Sequence, residues 1–284
     1  MFNVLVVGQT GCGKSSLVNM IAGQSLAPTS PGDDLQHCTK HWAEYPISVD
    51  GHPFQVFDTI GFLEPELDLG VYAEAIADTY GAIHALSTRG GIDLVLYCVR
   101  DDEIQKMKGN YRLLHEVFCD EEVPVALVVT NRGGQISNNT EGYKSIFDTH
   151  KIACVDYICA NIAITPGPDS PAVDAKSQEA IRKLLVKCCD AAPNSRSTVQ
   201  QLWRRAKKIV GTNQSLKRNQ LPTVLTRRCK MKQEVAEQLV AALNLESPSS
   251  RLYRAPYARG KSVTRLPLSK HSTREEQVPD ARLR

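Results

Sequence analysis

A strand, a glycine-rich loop and a helix follow one another at the start of this chain, and that order constrains its fold more than any other feature. The apolar run Phe2 to Val7 leads into Gly8-Gln9-Thr10-Gly11-Cys12-Gly13-Lys14-Ser15-Ser16, and Leu17 to Ala22 continues with helix-like spacing. The pattern G-x-x-x-x-G-K-S carries weight only between a strand and a helix, which is its setting here. Its glycines let successive backbone N–H groups turn inward as an anion nest, and the helix start adds partial positive charge. Lys14 is spaced to reach the outer phosphates of a nucleotide, and the Ser15 hydroxyl to take one place on Mg²⁺. The chain is therefore expected to bind a nucleoside triphosphate.

A second apolar strand, Gln55-Val56-Phe57, ends in Asp58-Thr59-Ile60-Gly61, a D-x-x-G element at a βαβ-sized separation from Lys14. Between the two, Asp33 to Trp42 is polar and without periodicity, which predicts a mobile loop. Thr39 lies in it, directly before the strand Glu44 to Val49, and can bond Mg²⁺ and lose that contact when the γ-phosphate leaves. Thr29 and Ser30 compete for the same role.

Together the phosphate loop, Cys38-Thr39 and Asp58-Thr59-Ile60-Gly61 resemble the G1, G2 and G3 elements of the P-loop GTPase (G-domain) family. The text G-x-T-G-x-G-K-S-S-L-V-N is similar to septins, chloroplast-import receptors, immune-associated (AIG1-type) and Era-like GTPases, and fungal G-domain proteins. The resemblance covers about residues 1 to 190. It implies GTP or GDP with Mg²⁺ as the bound species. It also implies a metal site from Ser15, Thr39 and Asp58, with Asp58 acting through a water. Lys14, Thr39 and the Gly61 N–H would face the γ-phosphate. Residues 8 to 16 would cradle the phosphates, and Thr130, Asn131 and Ala160 would flank the base.

Two positions depart from the family pattern. Phe62 follows the D-x-x-G element where Ras-like enzymes carry a glutamine that positions water, so slow intrinsic hydrolysis is expected. At the base, Thr130-Asn131-Arg132-Gly133-Gly134 stands where N/T-K-x-D is expected, and no carboxylate is present. This stretch reads equally as base contact or as an ordinary strand-to-loop turn. Guanine preference thus rests on the resemblance alone, and relaxed base specificity is the alternative. Ile158-Cys159-Ala160-Asn161-Ile162 fits the G5 loop by its order along the chain.

Apolar runs at 2–7, 44–49, 54–57, 92–99, 123–129 and 152–159 alternate with helical patterns near 15–23, 71–86, 103–118, 139–148 and 176–190. Such alternation predicts an α/β three-layer P-loop fold with a mostly parallel sheet. Asp50-Gly51 between two close strands marks a hairpin, which makes one edge strand antiparallel. His84 falls in the helix at 71–86 and reads as an ordinary helix residue before a catalytic one.

The nine cysteines show no C-x-x-C pairing, which argues against a zinc framework and for reduced thiols in a cytoplasmic protein. No run of 18 apolar residues and no secretion signal is visible. Charge divides the chain: residues 1–195 hold 14 Lys and Arg against 25 Asp and Glu, and residues 196–284 hold 20 against 6. We therefore expect a G domain at 1–190, a basic helical extension at 196–246 and a disordered basic tail at 247–284. Helical pieces are expected at 197–210 and 228–245. The basic half suits an anionic membrane surface, docking on an acidic G domain of its own chain or of a second copy, or a solvated appendage. No nucleic-acid-binding motif accompanies it. The chain reads as a slow switch or assembly GTPase with an effector yet to be named, and nucleotide-dependent homodimerisation is expected from the resemblance. The alternative is a nucleotide-gated interaction module with little hydrolysis.

Overall fold

The protein is described by a computed structural model covering residues 1–29, 41–62, 69–87, 89–119, 121, 123–131, 140–162, 174–191, 221–227, 229 and 231–245. Its centre is a six-stranded sheet in the order β2-β3-β1-β4-β5-β6. The strands are β1 (Phe2–Gly8), β2 (Ala43–Val49), β3 (His52–Asp58), β4 (Leu94–Arg100), β5 (Val125–Asn131) and β6 (Asp156–Asn161). All neighbours are parallel except β2 and β3. Asp50 and Gly51 join that pair with φ of 50° and 84°, as a primed hairpin turn requires. Pro46 is tolerated because β2 is an edge strand.

Helices cover both faces, and alternate residues of each strand feed two cores. One face packs Val4, Val6, Val56, Leu96 and Val128 against α1 (Lys14–Ala22) and α5 (Ala175–Ala191). The other packs Leu5, Val7, Phe57, Val95 and Leu127 against α2 (Leu69–Ser87), α3 (Lys108–Arg112) and α4 (Thr140–His150). Burial of both faces explains why these strands read as continuous apolar runs.

The single helix expected over 103–118 is not formed. A 3₁₀ turn at Asp101–Glu103 precedes α3, and a π turn at Leu113–Phe118 follows it. The wide turn puts Leu113, Leu114, Val117 and Phe118 all into the core, which tertiary burial favours over a regular helix.

Two further helices, α6 (Leu221–Arg227) and α7 (Gln233–Leu245), lie within the segment expected as a basic helical extension. Their buried residues join one of the sheet's two cores. Leu225, Cys229, Met231, Val235, Ala236 and Leu239 are buried in one cluster with Tyr72, Ala75 and Ile76 of α2. The approach is close: a Cβ on Gly109 of α3 would stand 2.8 Å from the Cys229 carbonyl oxygen. The expected helix at 197–210 and the tail at 247–284 fall outside the described residues. Among the described residues no helix is long and apolar enough to cross a membrane.

Candidate functional site

The loop between β1 and α1 is shaped by what its glycines exclude. A Cβ on Gly8 would lie 2.2 Å from the Cys98 carbonyl oxygen of the neighbouring strand. Gly11 and Gly13 take φ of 74° and 91°, in the left-handed region that favours glycine. Gly13 caps the start of α1, so the helix N-terminus opens directly into the loop. Lys14 is buried and donates from Nζ to the Gln9 carbonyl at 2.9 Å, which bends its ammonium back across the loop.

Asp58, at the end of β3, is fully buried and accepts a 2.7 Å hydrogen bond from the Ser15 hydroxyl. Beside it Thr59 is anchored by donating to the Val6 carbonyl at 2.9 Å. Gly61 then passes so close to the loop that a Cβ would meet Thr10 Cα at 2.5 Å and Lys14 Nζ at 2.7 Å. The contact is knitted by backbone: Phe62 N–H donates to the Gly8 carbonyl at 3.1 Å and Thr10 N–H to the Phe62 carbonyl at 2.9 Å. The Thr10 hydroxyl adds a 2.9 Å bond to the Gly61 carbonyl. The Phe62 ring is 1% exposed and lies 6.5 Å from the Tyr72 ring, so it faces the core.

A buried carboxylate supports this edge from α2. Asp78 accepts from Trp42 N–H at 3.0 Å and from Ile60 N–H at 3.4 Å, with His41 Nδ1 at 3.7 Å. Burial raises its pKa above the usual carboxylate value. Asp78 thus joins the residues that follow the Thr39 loop to the residue before Gly61. The sequence signal was weak: an acid in the middle of a largely apolar helix, between Ala77 and Thr79.

On the opposite side of the loop, the Thr130 hydroxyl at the end of β5 donates to the Cys12 carbonyl at 2.8 Å. Thr130 therefore clamps the phosphate loop, and its hydroxyl points at protein backbone. Asn131 pairs in register with Asn161 of β6, and Ile162 N–H donates to the Asn131 carbonyl at 3.1 Å. Ala160 is fully buried in the α1–α5 core. Ile162 reaches the loop, with its Cδ1 3.0 Å from where a Gly13 Cβ would stand. Cys12 is enclosed beside Cys98. Burial alone would push its thiol up, but a hydrogen bond with Cys98 and the Lys14 charge turn the net direction downward. Thr39 and residues 132–134 are outside the described residues, and Thr29 lies in an exposed stretch.

Residues 3–132 match the family model described as 50S ribosome-binding GTPase. Over these residues the chain is similar to P-loop GTPases. Similar curated proteins include the GTPase Era of Clostridium kluyveri, 27% identical over 153 residues, which are 52% of this chain and 48% of that protein. The tRNA modification GTPase MnmE of Burkholderia thailandensis is 35% identical over 97 residues, 32% of this chain and 20% of that protein. The chain thus spans about half the length of the first relative and a fifth of the second. Among solved structures, Era in complex with MgGDPNP and a 16S ribosomal RNA segment aligns with TM-score 0.47 at 16% identity, over 65% of this chain and 55% of that one. Toc33 from Arabidopsis thaliana with GDP and Mg²⁺ aligns with TM-score 0.45 at 20% identity, over 69% and 85%.

The residues around the loop fit the nucleotide phosphates and Mg²⁺ that proteins with this loop bind. Ser15 and Asp58 place a hydroxyl and a carboxylate, both hard oxygen donors, within hydrogen-bond distance beside the loop, and Mg²⁺ takes such ligands. The glycine backbone and the open end of α1 supply N–H donors for phosphate oxygens.

Proposed function

We propose that this protein binds GTP with Mg²⁺ at residues 8 to 16 and hydrolyses it slowly, as a cytoplasmic switch or assembly GTPase. The observation that carries the reading is the Ser15–Asp58 pair set beside the Lys14 ammonium at the mouth of α1. Bound Mg²⁺ would neutralise charge on the phosphate oxygens. Ser15 and Asp58 would hold it, with Thr39 joining from the loop before β2. Lys14 would shift its ammonium from the Gln9 carbonyl to the outer phosphates, and the N–H groups of Gly11 to Ser16 would orient them. The Gly61 N–H would meet the γ-phosphate, and the close approach of Gly61 to Lys14 supports that role.

Slow turnover follows from Phe62. A ring buried against Tyr72 cannot orient an attacking water, and the Phe62 amide and carbonyl are already taken by the loop. The same observation favours a second reading, a nucleotide-gated interaction module in which the bound nucleotide orders the loops and a partner reads them. Nucleotide-dependent homodimers, a protein effector and an anionic membrane facing the basic C-terminal segment are the partners we propose. The test is titration of the full chain with GTP and Mg²⁺, followed by single-turnover phosphate release. Lys14→Ala should abolish binding, and wild-type release should be slow without a partner. Tight binding by Lys14→Ala would overturn the nucleotide reading. Rapid release by the wild type alone would overturn the slow one.

A further inference from the structure

The carboxylate of Asp78 sits on α2, yet it ties together two backbone segments outside that helix. Oδ1 accepts from Trp42 N–H at 3.0 Å, at the entry to β2, and Oδ2 accepts from Ile60 N–H at 3.4 Å, past the end of β3. Asp78 is 3% exposed, and the His41 imidazole faces it with Nδ1 3.7 Å from Oδ1. Around it α2 buries Tyr72, Ala75, Ile76, Ala82 and Leu86, so packing alone would be served at less cost by an apolar residue. What the carboxylate adds is the tie. Ile60 directly precedes Gly61, and Phe62 directly follows it with its N–H donated to the Gly8 carbonyl at 3.1 Å. The Gly61 N–H is therefore pinned from both sides, while it has no acceptor of its own among the described residues. It lies against the phosphate loop, where a Gly61 Cβ would stand 2.7 Å from Lys14 Nζ.

We propose that Asp78 is the positioning residue through which this chain tells a nucleoside triphosphate from a diphosphate. This rests on the reading that residues 8 to 16 hold the nucleotide and that the Gly61 N–H meets its γ-phosphate. Held by Asp78 on one side and by Gly8 on the other, the Gly61 N–H keeps its aim before the ligand arrives, and little ordering entropy is lost on binding. A diphosphate does not extend to Gly61, so its affinity is set by the loop alone. Asp78 acts on the difference between the two nucleotides. The residue type suits the task. A carboxylate offers an acceptor on each oxygen, whereas a carboxamide offers one acceptor and one donor and can hold Trp42 or Ile60 but not both. Because the two segments share one carboxylate, opening of the tie frees both of them at once.

The experiment measures the affinities of full-length protein for fluorescent GDP and for a fluorescent non-hydrolysable GTP analogue, both with Mg²⁺. Wild type, Asp78→Asn and Lys14→Ala are compared. Asp78→Asn should weaken the triphosphate analogue by about tenfold and leave GDP within about twofold of wild type, as loss of one hydrogen bond to a charged group predicts. A residue that serves only the stability of the fold would lower both affinities alike or neither, and either result would overturn the inference. Should Asp78→Asn lose its urea transition, amide hydrogen exchange of the wild type decides instead. The protection factors of Trp42 and Ile60 should agree within about threefold and change together when the triphosphate analogue replaces GDP. Unrelated protection at the two amides would overturn the inference. Lys14→Ala separates the two claims. If it binds both nucleotides normally, the phosphate-loop reading has failed and takes this inference with it. If it loses binding while Asp78→Asn keeps the wild-type ratio, the failure belongs to Asp78 alone.

Discussion

At the residue scale, the phosphate loop is held from both sides by groups whose chemistry is simple. Gly8 leaves room for the Cys98 carbonyl, and Thr130 supplies one hydroxyl to Cys12. Thr130→Val keeps the shape and removes the donor, which leaves a buried carbonyl unpaired at a cost of about 1–3 kcal/mol. We expect faster nucleotide release with little change in secondary structure, measurable as dissociation of a fluorescent nucleotide. The loop formed by the glycines, Lys14 and Ser15 was legible in the sequence because its spacing between a strand and a helix fixes its shape. Asp78 was not, because it matters through backbone N–H groups at Trp42 and Ile60, contacts that only the folded chain creates.

At the scale of elements, β1, the loop and α1 are local and were readable from periodicity, as was the Asp50-Gly51 hairpin. The broken helix after β4 was not, since the π turn at Leu113–Phe118 answers to the core around it and not to propensity. The docking of α7 was half-legible: its apolar stripe was visible, while its partner, α2, was not. Leu239 of α7 is fully buried in that contact. Leu239→Ala should cost about 2–5 kcal/mol, read as a lower urea midpoint. A midpoint equal to wild type would mean that the contact carries no stability.

For the whole molecule, pH offers a test of the core on the α2–α3 face. His115 is stacked on Tyr111 with ring centroids 5.2 Å apart, and burial lowers its pKa from the model-peptide value of 6.5, against the opposing pull of Glu121 and Glu116. The unfolded chain then binds a proton more readily than the folded one, so stability falls as pH drops below 6.5. His115→Gln should flatten that decline relative to wild type, by thermal unfolding between about pH 5 and 7. A parallel decline in both proteins would assign the pH dependence to other groups. Charge asymmetry between the two halves was plain from composition. Where the second half sits was not, because net charge says nothing of which helix buries its apolar side against which.

The seat of α7 on α2 also decides how the protein can be cut. A fragment ending near residue 190, where the resemblance runs out, would uncover the part of α2 on which α7 packs. Such a fragment would offer an apolar face, and its self-association would mimic a genuine nucleotide-driven dimer. Expression work should therefore carry the chain through at least Leu245, so that any dimer observed belongs to the protein and not to the scissors.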